Sequence, residues 1–285
     1  MNPIQKYVSD HARLLQRGRQ LSLKKLKRPV RRKLAPDAPK VLIFSPHPDD
    51  ECITGGLALR LLHEAKWNVV NVAVTFGSKR ERRAVRLREL KNACASLGFG
   101  LVVPGRGFER INPETRKRNR SHWQAAVRTI ARILTEHQPR VIFIPHERDG
   151  HQTHIGTHLL VLDALKTLPD AFRCQVVETE FWGQMTGPNL LVESSAKDVA
   201  ALVAALTCHV GEVRRNAYHT RLPAGMIDNV RRGTELVGGQ GGAAPDFAFG
   251  TIYRLRKWKS GRLLDVLAGG KFVPCSTNPA AVFKG

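Results

Sequence analysis

The chain has 285 residues, enough for one large α/β domain, and its 42% hydrophobic content supplies an ordinary buried core. Forty-six Lys and Arg against 24 Asp and Glu leave a formal net charge of +22, which attracts polyanions without selecting among them. Five scattered cysteines without a Cys-x-x-Cys pair argue against a disulfide framework or thiolate zinc site. The chain has no apolar stretch of membrane-span length and no secretory core, so a cytoplasmic location is expected.

Residues 1–40 hold twelve Lys or Arg and only two Asp. Within them Ile4, Tyr7, Val8, Ala12 and Leu15 fall at helical spacing, which predicts a basic amphipathic helix. Pro36 and Pro39 then break any helix before the first strand. Residues 1–38 are therefore read as an extension suited to the anionic inner face of a membrane or, equally, to a non-specific polyanion-binding arm, and 39–285 as the domain proper.

From Lys40 the pattern alternates. Strands are predicted at 40–45, 68–75, 101–103, 140–145 and 175–181, with a last one at 251–257. Helices are predicted at 55–65, 81–97, 121–136, 154–168 and 197–215. This order predicts a Rossmann-like open, mostly parallel sheet with helices on both faces, and runs such as VLIF and VIFI suit strands covered on both sides. Gly238–Gly242 reads as a flexible loop, a candidate flap.

Two polar clusters directly follow two buried strands: His47-Pro48-Asp49-Asp50-Glu51, and His146 to His154 with Asp149, His151 and Thr153 between. In open α/β sheets, loops beyond the carboxyl ends of the strands assemble the site. Imidazole and carboxylate are the donors a catalytic zinc uses, with three protein ligands and room for water. His47, Asp50 and His154 are the expected ligands, Asp49 the general base, and His151 the group on the acyl oxygen and leaving-nitrogen side. Iron suits the same donor set. Taken singly, Asp49 and Asp50 also read as helix N-caps, and His158, four residues after His154, is a competing ligand.

The five-residue motif His47–Glu51 with His151-Gln152-Thr153-His154 resembles the signature of the LmbE-like, or PIG-L, family of zinc-dependent N-acetylglucosaminyl deacetylases. The resemblance implies removal of acetyl from an N-acetylated amino sugar, with zinc on His47, Asp50 and His154, Asp49 as base, and His151 at the tetrahedral intermediate. The family's second element commonly reads His-Pro-Asp-His, whereas here Thr153 stands where that Asp would be; Asp149 is the nearest substitute. Arg86 with Glu89 resembles a further Arg-x-x-Glu feature, and Arg86, Trp182 and Arg110 are candidate substrate contacts. Arg110 belongs to a basic loop with Arg106, Arg116, Lys117, Arg118 and Arg120. Trp182 suits a core position equally well. The alternatives are a zinc amidohydrolase for another acyl-amine, or a polyanion-binding protein using the +22 charge. No nucleic-acid-reading motif supports the latter, and the oligomeric state is not legible.

Overall fold

A computed structural model describes residues 2–21 and 34–284. The basic run 24–33 and Met1 lie outside the described residues.

The first element is helix α1 (Pro3–Gln20), opened by an Asn2 cap, a reciprocal Gln5 side-chain bond and Pro3 in the first turn. Strand β1 (Lys40–Ser45) then starts the domain, followed by the short α2 (Asp50–Ile53) and α3 (Gly56–His63). Next come β2 (Asn68–Ala73), α4 (Arg83–Leu97) and β3 (Gly100–Val102), then α5 (Pro113–Arg118) and α6 (Arg120–His137). Strand β4 (Val141–Pro145), α7 (Gln152–Leu165) and β5 (Cys174–Thr179) complete the alternating part. The remainder contains β6 (Leu190–Glu193), α8 (Ala196–Leu206), α9 (Val210–Arg215), α10 (Tyr218–Leu236), β7 (Gly250–Lys259), β8 (Arg262–Asp265) and β9 (Lys271–Val273).

All described strands join one sheet in the order β3-β2-β1-β4-β5-β7-β6-β9, with β8 on β7. The five strands from β3 to β5 are parallel. β7 runs antiparallel to β5 and to β6, which closes the parallel half without another crossover helix. Alternate residues of β1 serve different cores. Val41 and Ile43 pack with α3, α4 and α8, while Leu42 and Phe44 pack with Trp123 and Ile130 of α6 and Leu160 of α7. Both faces are therefore covered, which is why these strands lack polar alternation.

The order in which strands are added reverses between β1 and β4. β1 leads outward to β2 and β3, and the chain then returns to place β4 on the other side of β1. The carboxyl ends of β1 and β4 flank the resulting crevice, and both polar clusters begin there.

Two sequence expectations change. Residues 197–215 form two helices rather than one, because the chain turns at Thr207–His209 and carries the His209 side chain inward. α10 was not expected at all: Pro223 sits inside it and two glycines follow, so its residues read as breakers. Among the described residues, no helix is long and apolar enough to cross a membrane.

Candidate active site

β1 delivers its loop straight into α2, and the turn between them requires Asp49 to take φ 116° and ψ −28°. A non-glycine residue there costs on the order of 1–3 kcal/mol, so something must hold it. Glu51 does: its Oε2 accepts the Asp49 N–H at 3.0 Å, and its Oε1 accepts from His209 Nε2 at 2.6 Å. Glu51 is 1% and His209 0% exposed, so the pair lies wholly inside the protein. Neither residue was expected at the site. The Asp-Asp-Glu run hides Glu51 among other acids, and His209 lies 158 residues away in sequence.

His47, Asp50 and His154 meet in space. His47 Nδ1 lies 3.2 Å from His154 Nε2 and 3.6 Å from Asp50 Oδ2, and His154 Nε2 lies 3.5 Å from the same oxygen. Asp50 Oδ2 also accepts the His47 N–H at 2.7 Å, which fixes the turn. Three electron-pair donors facing one point repel unless a cation sits among them. Tetrahedral ligands about 2.0–2.2 Å from zinc stand about 3.3–3.6 Å apart, the spacing observed here. The donor set therefore fits a divalent ion.

His154 is fully buried, with Nδ1 on the far side of its ring and 3.6 Å from Asp149 Oδ1. That Nδ1 has no partner at ordinary hydrogen-bond distance, and the Asp149 carboxylate is the group that faces it. Asp149, itself 0% exposed, also accepts N–H bonds from His151, Phe181 and Trp182, each at 3.2 Å. It thus ties the loop after β4 to the loop after β5.

His151 caps α7, its Nδ1 accepting the Thr153 N–H at 3.2 Å. A backbone N–H only donates, so the ring's own proton sits on Nε2. Burial, together with His47 and His154, holds its pKa below the ordinary histidine value. A ring nitrogen of His151 lies within 4.8 Å of nitrogens of His47 and His154, so all three rings border one space. Burial and the adjacent Asp50 carboxylate push the Asp49 carboxyl well up, against the pull of Arg86. For Asp50, burial acts upward, but His154 and His47 outweigh it and bring the pKa down.

These residues open into a cavity of about 1130 Å³. Its walls include His47, Asp49, His151 and Thr153 on one side and Tyr218, Arg221, Leu222 and Met226 of α10 on the other. Such a space exceeds the usual 300–1,000 Å³ of small-ligand pockets. Trp182 stands at its edge, 61% exposed, with its ring 6.1 Å from that of His151, and is not a core tryptophan. Arg110 is an exposed residue of the lining with φ 51°. Arg86 also lines the cavity, but its guanidinium donates to Pro48 O at 3.0 Å and Phe76 O at 3.4 Å and lies 3.8 Å from Asp49 Oδ1. Its place is behind Asp49. Glu109 engages both Arg80 and Arg83, which hold its carboxyl down at about 2.

Other expectations fall outside this cavity. Arg116 turns to Asp163, and Gly238–Gly242 does not contribute to the lining. His158 donates from Nδ1 to Pro145 O at 2.9 Å and faces Glu178, away from the three converging donors. His146 is buried with Nε2 donating to Gly183 O at 2.9 Å.

Known proteins resemble this chain in sequence over part of its length and in fold. Residues 42–165 match the family described as PIG-L: GlcNAc-PI de-N-acetylase. A 1D-myo-inositol 2-acetamido-2-deoxy-alpha-D-glucopyranoside deacetylase from Thermomonospora curvata is 28% identical over 159 residues, 46% of this chain and 54% of that protein. The chain thus spans about half the length of the curated relatives it matches. The solved N,N'-diacetylchitobiose deacetylase from Pyrococcus horikoshii superposes with a TM-score of 0.54 at 17% identity, covering 92% of this chain and 94% of that one. The fold also carries other chemistry. GalB, the 4-carboxy-2-hydroxymuconate hydratase of Pseudomonas putida KT2440, gives a TM-score of 0.56 at 16% identity, over 81% of this chain and all of that one. The segment matched to that family, 42–165, contains both strand-end clusters.

Proposed function

We propose that this protein is a zinc-dependent deacetylase acting on an N-acetylated amino sugar or a conjugate of one. The observation that carries the reading is the convergence of His47 Nδ1, Asp50 Oδ2 and His154 Nε2 within 3.2–3.6 Å, with Asp49 adjoining in the same wall. Zinc held by those three residues would supply positive charge that polarises the acetamide carbonyl and acidifies the attacking water.

The chain's own residues then divide the work. Asp49 takes the proton of the attacking water as its oxygen bonds to the acetyl carbon. His151, neutral with its proton on Nε2, donates to the carbonyl oxygen as negative charge gathers there. The carbon–nitrogen bond breaks, and Asp49 returns its proton to the departing nitrogen. Acetic acid and the amino sugar result; the acid's proton passes to the free amine to leave acetate and an ammonium group, and Asp49 is again a carboxylate. Asp49 is held for this two-way transfer by Glu51 and Arg86. Trp182 presents an exposed ring near His151, suited to stacking on a sugar face, and Arg110 offers a cation at the lining for a polar substituent. The cavity has room for more than one sugar ring, which favours a conjugate over a free monosaccharide.

The test is acetate release by purified protein after metal stripping and after reloading with zinc or iron. The substrates are N-acetylglucosamine, its glycosides, and acetamides lacking a sugar. Release from the sugars that depends on the metal supports the reading. Release from the non-sugar acetamides alone would move the protein to the broader amidohydrolases, and no release from any of them overturns the proposal.

A further inference from the structure

α1 is amphipathic in a way its contacts within the protein do not use. At 100° per residue, Ile4, Val8 and Leu15 follow one line with His11, Tyr7 and Leu14 beside it and Arg19 at its edge, while Lys6, Arg13 and Arg17 fall opposite. Ile4, Tyr7, Val8, Leu14 and Leu15 are 75%, 65%, 59%, 63% and 50% exposed, and the helix has no buried residue. A cluster of exposed aliphatic and aromatic side chains on one side of a helix, here with His11 among them, marks an interaction site.

The described contacts fasten α1 near its C-terminal end. His219 Nε2 donates to Gly18 O at 3.1 Å, and a Cβ on Gly18 would stand 3.0 Å from Thr220 Cγ2. His219 and Thr220 lie in the first turn of α10, whose Tyr218, Arg221 and Leu222 line the active-site cavity. The helix with the free apolar face is thus joined to the element that forms one wall of the site.

We propose that α1 docks in the plane of an anionic lipid bilayer and holds the α10 side of the cavity at that surface. Eighteen helical residues span about 27 Å, and the cations of α1 exclude burial across a hydrocarbon core. An apolar face opposite a cationic one suits the boundary between headgroups and acyl chains. Charge selects the occupant. The first 40 residues carry twelve Lys or Arg against two Asp, and one of those, Asp10, is already held by Lys6 and Arg13. A second copy of α1 would bring like charges together. A nucleic acid would meet the cations but leave the aliphatic line uncovered. The inference rests on α1 and its junction with α10 and is independent of the reaction proposed above.

The test is co-sedimentation of the full chain with equimolar phosphatidylglycerol–phosphatidylcholine vesicles, with pure phosphatidylcholine vesicles as the comparison. Binding to the anionic vesicles alone, weakened by salt, is expected. The double variant V8D/L15D should partition on the order of a hundred-fold more weakly, while its thermal melting stays that of the parent, since both side chains are exposed. Failure of the parent chain to bind anionic vesicles overturns the proposal, as does undiminished binding by V8D/L15D. A dimer in sizing chromatography, or binding to a single-stranded RNA, that V8D/L15D abolishes in a chain indifferent to vesicles also overturns it and assigns the face to that partner.

Discussion

The Asp149 carboxylate lies 3.6 Å from His154 Nδ1, on the opposite side of the ring from the Nε2 that faces His47 and Asp50. A carboxylate behind a histidine in this way fixes the ring and strengthens its outer nitrogen as a donor. It also supplies negative charge near the second element where Thr153 stands in place of the family's Asp.

Asp149→Asn should therefore lower zinc affinity by about 10–100-fold. The change also disturbs the bonds from Phe181 and Trp182, so the loop after β5 should loosen. Metal competition with a fluorescent chelator checks the first effect, and hydrogen exchange over residues 180–184 the second. Unchanged zinc affinity would remove Asp149 from the site.

Asp49→Asn should retain zinc and lose about 10²–10⁴-fold in turnover, because the amide has no basic oxygen to take the water's proton. Zinc content by mass spectrometry and acetate release report the two halves separately. Near-parental turnover would assign the base elsewhere.

The buried Glu51–His209 pair makes a paired prediction. His209→Leu leaves the buried Glu51 Oε1 without its hydrogen-bond donor and should cost about 1–3 kcal/mol. Glu51→Gln keeps an oxygen for the Asp49 N–H and an amide to face His209, and should cost much less. Urea unfolding of both variants distinguishes a pair that supports Asp49 from simple core filling, which predicts similar losses.

Trp182→Ala should raise KM by about 2–10-fold with kcat little changed, as expected when a stacking surface of about 0.5–1.5 kcal/mol is lost equally from ground and transition states. A fall confined to kcat would place Trp182 in the chemistry rather than in binding.

Asp163 gives a pH dependence away from the site. Burial works to raise its carboxyl, but bonds from Arg116 and from the Trp123 indole outweigh it and hold the pKa below the usual value. A depressed carboxylate contributes stability above its unfolded pKa of about 3.9, and loses it as pH falls through the lower folded value. Asp163→Asn should thus be most costly near neutrality and approach the parent chain as pH falls through the lowered carboxyl's own range. Unfolding midpoints across that range check the trend.

Much of this was legible in the sequence because its signals were local. β1 occupies the very residues read as a buried strand, and the two clusters follow β1 and β4 as expected, since apolar runs ending in polar residues mark strand ends. The closing half was harder to read. β6 and β9 have four and three residues, too short to carry a period, and Pro223 masks α10. Glu51 and His209 were missed for a different reason. Their role exists only once residues far apart in the chain meet, and a buried acid–imidazole pair leaves no spacing to recognise.

The match to the family ends at residue 165, whereas much of the cavity's far wall comes later, from the loop at 179–182 and from α10. The three converging donors and that part of the far wall thus lie in separate stretches of the sequence. His209, Phe181 and Trp182 fall in that later stretch and support Asp49 and Asp149, so a graft that remodels the far wall while sparing the site would keep those three residues and exchange α10 alone.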